Sequence, residues 1–316
     1  MSIKTVQATV GGQTVTLTLN ASTGKYEATL TASSDSSFNQ TGGYFPVSVK
    51  ATNNAGTSST ADSSHATLGQ SLRLFVAEKI KPIIQIISPT TSAFVINSTP
   101  NISFKVLDNS NGQSSGYSGI NKSSLVLKIN GSAVDTSSVT WSDTSGGYIG
   151  TYTPSKALPE GSNTVTVDIS DNDGNKADQA SVSFVVDTIA PTLIISAPSE
   201  GLVTNNPTLI VSGQTDDATS KPVSVTVKLG SSAAEDATVN SDGTFSKSLT
   251  LTEGANVIVI TAKDRAGKET TITRNVTLDT SAPVIKSVEI KANGKLVTAA
   301  NPVAAGTTYT ITVEVE

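Results

Sequence analysis

Apolar residues alternate with Ser and Thr along most of this chain, and a period of two points to β-strands rather than helices. In Thr14-Val15-Thr16-Leu17-Thr18-Leu19 the threonines and the apolar side chains fall on opposite faces of one extended segment. The pattern recurs in Ile102/Phe104/Val106, Leu125/Leu127/Ile129, Val165/Val167/Ile169, Val182/Phe184/Val186, Val223/Val225/Val227/Leu229 and Ile311/Val313/Val315. One buried and one wet face fits antiparallel sheets, with β-branched Thr favoured on the wet side. Turn signals separate the runs: Asn54-Ala55-Gly56, Asn130-Gly131, Asp171-Asn172-Asp173-Gly174, Ser241-Asp242-Gly243 and Asn293-Gly294. Short strands with turns about every ten residues predict an all-β chain built from β-sandwiches.

The chain also repeats itself. Leu158 to Val167, Asp171 to Lys176 and Phe184 to Pro191 form one domain ending, and Leu251 to Ile260, Asp264 to Lys268 and Val276 to Pro283 form a second. Gly161 and Gly254, Asp171 and Asp264, and Gly174 and Gly267 are each 93 residues apart, whereas Asp187 and Asp279 are 92 apart. The first domain closes more loosely, with Asn53 to Gly56 as the turn and Phe75 to Pro82 as the exit. These periods set boundaries at 1–79, 80–187, 188–279 and 280–316: a divergent N-terminal sandwich, two repeats, and a partial fourth unit or partner-pairing hairpin. That last segment offers two strands, Val284–Lys291 and Thr307–Val315. Pro-bearing connectors are stiff, so sandwiches end to end predict a rod on the order of 120 Å or longer.

The strand Glu160-Gly161-Ser162-Asn163-Thr164 with its partner Glu253-Gly254-Ala255-Asn256-Val257, the Asp-x-x-Gly turns at 171 and 264, and the Asp-Thr-x-Ala-Pro junctions at 187 and 279 resemble tandem bacterial immunoglobulin-like repeats. The resemblance covers about 80–283. The opening segment, with Gly24 to Thr31 and Ser71 to Leu74, is similar to immunoglobulin-like proteins of Gram-positive phage and prophage tails. What the resemblance implies is a structural or adhesive role, with no catalytic residues to carry over.

Composition narrows the chemistry. Only 15% of residues are charged, against about 25% in ordinary domains, and there is no Cys, one His and one Trp among 316 residues. Disulfides, thiolate metal sites and thiol nucleophiles are excluded, and His-based general-base chemistry is not expected. A net charge of −5 argues against nucleic acid as a partner, and no apolar run is long enough for membrane insertion. Met1 to Val10 lacks the basic and apolar regions of a secretory signal. Release by lysis from a particle, or excision from a larger exported protein, reconciles this with an extracellular composition.

Candidate sites are few. Asp171-Asn172-Asp173-Gly174-Asn175 opens like a calcium loop, but no acidic residue closes a loop of twelve, since Gln179 leads into apolar alternation. The turn reading has Asp171 cap its own hairpin, with Gly174 in a left-handed conformation. No cofactor is expected; the alternative is a calcium ion at a domain junction, drawn from Asp171, Asp173 and Asp187. His65 lies in a polar loop without a nucleophile elbow, and acids such as Asp168 alternate outward, which offers no buried pair for hydrolysis. Lys128 and Lys228 also face outward, against an isopeptide staple in the core. Tyr117, in the Gly-rich loop 114–119, and Trp141 with Tyr148, around a hairpin, are candidate ligand contacts, although Trp141 alternates with Val139 as a core residue does.

The chain is therefore expected to be a non-enzymatic rod of a phage tail or related particle, mounted on other tail proteins through its first domain. The alternative is a fragment of a bacterial surface adhesin that contacts a host-surface glycan or protein.

Overall fold

The computed structural model describes residues 2–108 and 116–316. Among these there is no α-helix, and the regular structure is strand with three short 3-10 turns. The chain divides into two compact units, 1–188 and 189–316, and each is described by itself.

The first unit opens with β1 (Ile3–Val10), β2 (Gln13–Asn20), β3 (Lys25–Glu27), β4 (Phe45–Asn53), β5 (Ser58–Ala61) and β6 (Arg73–Leu74). These form one six-stranded sheet in the order β3-β2-β1-β4-β5, with β6 on β4. The sequence reads as a divergent sandwich here, whereas the strands found belong to a single sheet. Residues 28–40, which carry Leu30 and Phe38 among Ser, Thr and Asn, cross it without regular structure, so its buried apolar residue is Val6.

A two-sheet sandwich follows within the same unit. Its strands are β7 (Ile83–Ser88), β8 (Phe94–Val95), β9 (Ile102–Leu107), β10 (Ile120–Ile129), β11 (Ser132–Ala133), β12 (Thr140–Thr144), β13 (Gly147–Tyr152), β14 (Gly161–Asp171) and β15 (Ala180–Val186). One sheet runs β12-β13-β9-β7 and the other β11-β10-β14-β15-β8, the last pair parallel. The alternating residues meet as expected: Ile102, Phe104, Val106, Leu127, Val165, Val167 and Val186 are fully buried in one cluster. Burying side chains of this size contributes about 1.5–3 kcal/mol each, which is what holds the two sheets together.

Asp168 keeps the outward position that alternation assigns to it, opposite the exposed Val126 of β10, while Val165, Val167, Ile169 and Asp171 point inward from the same strand. It is nonetheless buried, because Gln179 and Lys176 reach over it: Asp168 accepts from Gln179 Nε2 at 2.6 Å and pairs with Lys176 Nζ at 3.3 Å. Lys128 is half-buried and Lys228 exposed, on the outer sides of their strands.

The second unit repeats the sandwich with β16 (Thr192–Ala197), β17 (Leu202–Thr204), β18 (Thr208–Asp216), β19 (Ser224–Leu229), β20 (Glu235–Val239), β21 (Thr244–Thr250), β22 (Gly254–Lys263) and β23 (Glu269–Leu278). The order β16-β18-β21-β20 matches β7-β9-β13-β12, and β19-β22-β23-β17 matches β10-β14-β15-β8. Here β20 pairs with both β19 and β21, which joins the halves into one eight-stranded sheet around Val211, Phe245, Ile258 and Ile260. The chain then forms β24 (Ile285–Ala292), β25 (Lys295–Leu296) and β26 (Thr310–Val315), a three-stranded sheet exposed on both faces.

Candidate metal centre in the first unit

Three carboxylates from separate parts of the first unit converge. Glu78 lies in the connector between β6 and β7, Asp108 directly follows β9, and Asp171 ends β14. All three are buried, at 4%, 3% and 1% exposure, and one oxygen of each lies within 4.8 Å of the others. β9 and β14 belong to opposite sheets, so it is the stacking of the sandwich that brings Asp108 beside Asp171.

The turn after β14 organises the cluster. Gly174 adopts φ +91°, the left-handed geometry a hairpin turn needs, and Asp171 Oδ1 accepts from Asn175 N at 2.7 Å. Asn175 Nδ2 donates to Asp171 Oδ2 at 2.8 Å and to Glu78 Oε1 at 3.1 Å. Glu78 N donates to Asp173 Oδ2 at 2.9 Å, and Glu78 Oε2 accepts from Ile80 N. Asp108 Oδ2 accepts from Gly119 N at 2.6 Å, while Asp108 Oδ1 is buried with no hydrogen-bond partner.

The electrostatics are unbalanced. Among the described residues no Lys, Arg or His pairs with any of the three. Two charges 4.8 Å apart repel by roughly 3.5 kcal/mol at an effective dielectric near 20. Burial pushes the Glu78 carboxyl up to about 7, reinforced by Asp171 and Asp108 and opposed by the Ile80 N–H. Burial likewise raises Asp108, against the Gly119 N–H and with help from Asp171 and Asp173. Such a cluster is relieved either by a proton on Glu78 or by a cation. An all-oxygen donor set of carboxylates suits a hard divalent ion of the calcium kind, not a soft or redox-active one.

The second unit carries two carboxylates in the corresponding places. Asp217 directly follows β18 and Asp264 directly follows β22; both are buried, with an oxygen of each within 4.8 Å. Asp217 Oδ1 accepts from Thr219 N and Ser220 N at 2.7 and 2.6 Å. Asp264 Oδ1 caps its turn at Lys268 N (2.9 Å), and Asp264 Oδ2 is buried without a partner.

Of the calcium candidates from the sequence, Asp171 is a member of the first cluster and Asp173 borders it as the acceptor for Glu78 N. Asp187 follows β15, buried, with its N–H donated to Val95 O at 2.9 Å. Glu78, Asp108 and Asp217 escaped sequence reasoning, because none of them belongs to the repeated Asp-x-x-Gly turn and each meets its acidic neighbour only through the fold.

The aromatic candidates separate. Trp141 and Tyr148 pack edge to face at 6.1 Å on paired strands, with Phe104 on the other side of Trp141 at 5.7 Å and Lys122 Nζ 3.5 Å from the Tyr148 ring centre. Both rings are half-buried against the core. Tyr117 lies elsewhere, against the irregular segment 28–40, where its carbonyl accepts from Asn39 Nδ2 at 2.7 Å. Part of its loop, residues 109–115, lies outside the described residues. His65 is exposed in its polar loop.

Residues 94–188 match the family described as bacterial Ig-like domain, and residues 191–280 match Glucodextranase, domain B. Among curated proteins, Bacillopeptidase F of Bacillus subtilis (strain 168) is 30% identical over 139 residues, 44% of this chain but 9% of that protein. Among solved structures, the fibronectin(III)-like modules of Clostridium thermocellum CbhA align at 15% identity and TM-score 0.37, covering 62% of this chain and 93% of theirs. Titin domains A168–A170 align at 13% identity and TM-score 0.40, covering 74% of each chain. No helix among the described residues is long and apolar enough to cross a membrane.

Proposed function

We propose that this chain, which carries tandem immunoglobulin-like repeats of the bacterial type, is a non-catalytic spacer that holds a binding partner at a set distance on a phage tail or related particle. The observation that carries the reading is the way the N-terminal sheet and the first sandwich are tied together. Ser36 N donates to Gly116 O at 2.7 Å, Asn39 Nδ2 donates to Tyr117 O, and Lys81 Nζ pairs with Asp178 Oδ1 at 2.8 Å. With the Glu78–Asn175 and Glu78–Asp173 bonds, they span a connector that is too short to act as free coil. Such a joint resists bending, which a spacer needs and an enzyme domain does not. The N-terminal sheet, unlike the repeats in fold and sequence, is the part that mounts on other tail proteins.

A second reading makes the chain an accessory stretch of a longer surface or secreted polypeptide, binding a glycan or protein. It is favoured by the match to Bacillopeptidase F, in which the matched segment is 9% of a much longer chain. Electron micrographs of particles with and without this protein separate the two. A projecting density lost on deletion supports the particle reading; unchanged particles, with the protein in the cell-wall fraction, overturn it.

A further inference from the structure

We propose that Glu78, Asp108 and Asp171 bind one hard divalent cation, of the calcium class, and that this ion locks the N-terminal sheet onto the first sandwich. The inference goes beyond the spacer role and stands whether the chain serves a particle or a cell surface. Three buried carboxylates from three elements meet, and among the described residues none of them has an ion pair. A cluster alone establishes nothing, but Asp108 adds a separate observation. Its Oδ2 is engaged by Gly119 N, and its Oδ1 is left buried and without a partner on a side chain 3% exposed. An orphaned buried carboxylate oxygen costs stability unless something positive reaches it.

The arrangement also recurs. In the second unit Asp217 and Asp264 occupy the same places after the corresponding strands, and again one buried oxygen, Asp264 Oδ2, has no partner. A defect of packing would not be expected to reappear at the same position of a second repeat. In both copies the turn aspartate uses one oxygen to cap its own hairpin, at Asn175 N and at Lys268 N. Turn and ligand roles are thus compatible in one residue. Calcium takes 6–8 oxygens at about 2.3–2.6 Å in flexible geometry, so the three carboxylates would be completed by carbonyls and water. Glu78 belongs to the exit of the N-terminal sheet, whereas Asp108 and Asp171 belong to the sandwich, so coordination links the two.

The test uses the full chain, stripped with chelator and titrated with calcium chloride by calorimetry and thermal melting. Calcium at about 100-fold over its Kd is expected to raise the melting temperature of the first unit by about 5–10 °C. Asp108→Asn keeps the side-chain shape and removes a repelling charge, so it is expected to melt no lower than the parent in chelator, to bind one calcium fewer per chain, and to lose the shift. Absence of heat and shift in the parent overturns the proposal. So does an unchanged calcium count in Asp108→Asn, or an equal shift with magnesium at the same concentration, which would mark general charge screening.

Discussion

Asn175 Nδ2 donates to Glu78 twice, at 3.0 Å to the backbone carbonyl and at 3.1 Å to Oε1, so a turn residue of the sandwich grips the exit of the N-terminal sheet. The same amide reaches Asp171 Oδ2 at 2.8 Å. One neutral side chain therefore stands between two buried acids.

Replacing Asn175 with Ala removes those donors and leaves Glu78 Oε1 and Asp171 Oδ2 with one polar contact fewer inside a buried site. A buried group deprived of its partner costs about 1–3 kcal/mol. Denaturant unfolding of Asn175→Ala in chelator is expected to show a loss of that size in the first unit. An unchanged midpoint would mean that the amide is not what holds this junction.

Protonation offers a second handle on the same place. Burial, with Asp171 and Asp108 beside it, pushes Glu78 up to about 7 from an ordinary 4.5, while Asp173 Oδ2 takes the Glu78 N–H. A raised carboxyl pKa means the fold binds the proton more tightly than the unfolded chain. Its stabilising contribution is therefore complete below about 4.5 and lost as pH rises through about 7. The melting temperature of the first unit in chelator is expected to fall between pH 5 and pH 8. Glu78→Gln, which cannot ionise, should flatten that slope.

The strands were legible in the sequence because their reporters are local: Val165, Val167 and Ile169 alternate, and all three are buried on β14. The turn role of Asp171 was equally legible, since a hairpin aspartate acts on a backbone N–H four residues away. The acidic cluster was not. Glu78 and Asp108 lie 93 and 63 residues before Asp171, on elements that only the stacking of two sheets brings together. Asp168 misled for a different reason: its outward position was legible, but not that Gln179 and Lys176, later in the chain, fold over it there. The recurrence of Asp-x-x-Gly at 171 and 264 was visible, but not that each aspartate has a buried acid beside it, at Asp108 and Asp217.

Gly213 gives a prediction for the second sandwich. It sits on β18 between β16 and β21, where an added Cβ would lie 2.1 Å from Ile194 O and 2.8 Å from Phe245 Cζ. A backbone oxygen on a paired strand cannot swing aside as a side-chain tip does. Overpacking of a well-filled core costs about 1–3 kcal/mol, and a backbone clash places Gly213→Ala at or above the upper end. Calorimetry is expected to show a lowered transition for the second unit alone, with the first unit's transition unmoved.

The three-stranded sheet β25-β24-β26 differs from the sandwiches in what stands behind it. Val288 pairs with Val313 and Ile290 with Ile311, yet all four are more than a third exposed. Its ladder between β24 and β26 is continuous from Ser287 to Lys291, with a register shift before Ser287, but among the described residues no second layer covers the apolar face, and a few strands without packing are only marginally stable. Opening it exposes little further apolar surface, so its local unfolding free energy is small. By contrast, opening β14 or β22 would expose Val165, Val167, Ile258 and Ile260, all fully buried. Hydrogen exchange on the isolated chain is therefore expected to label the amides of 285–315 orders of magnitude faster than those of 163–169 and 256–262. Equal protection would mean that the sheet is covered, and exchange measured over a range of protein concentrations would show whether a second copy covers it.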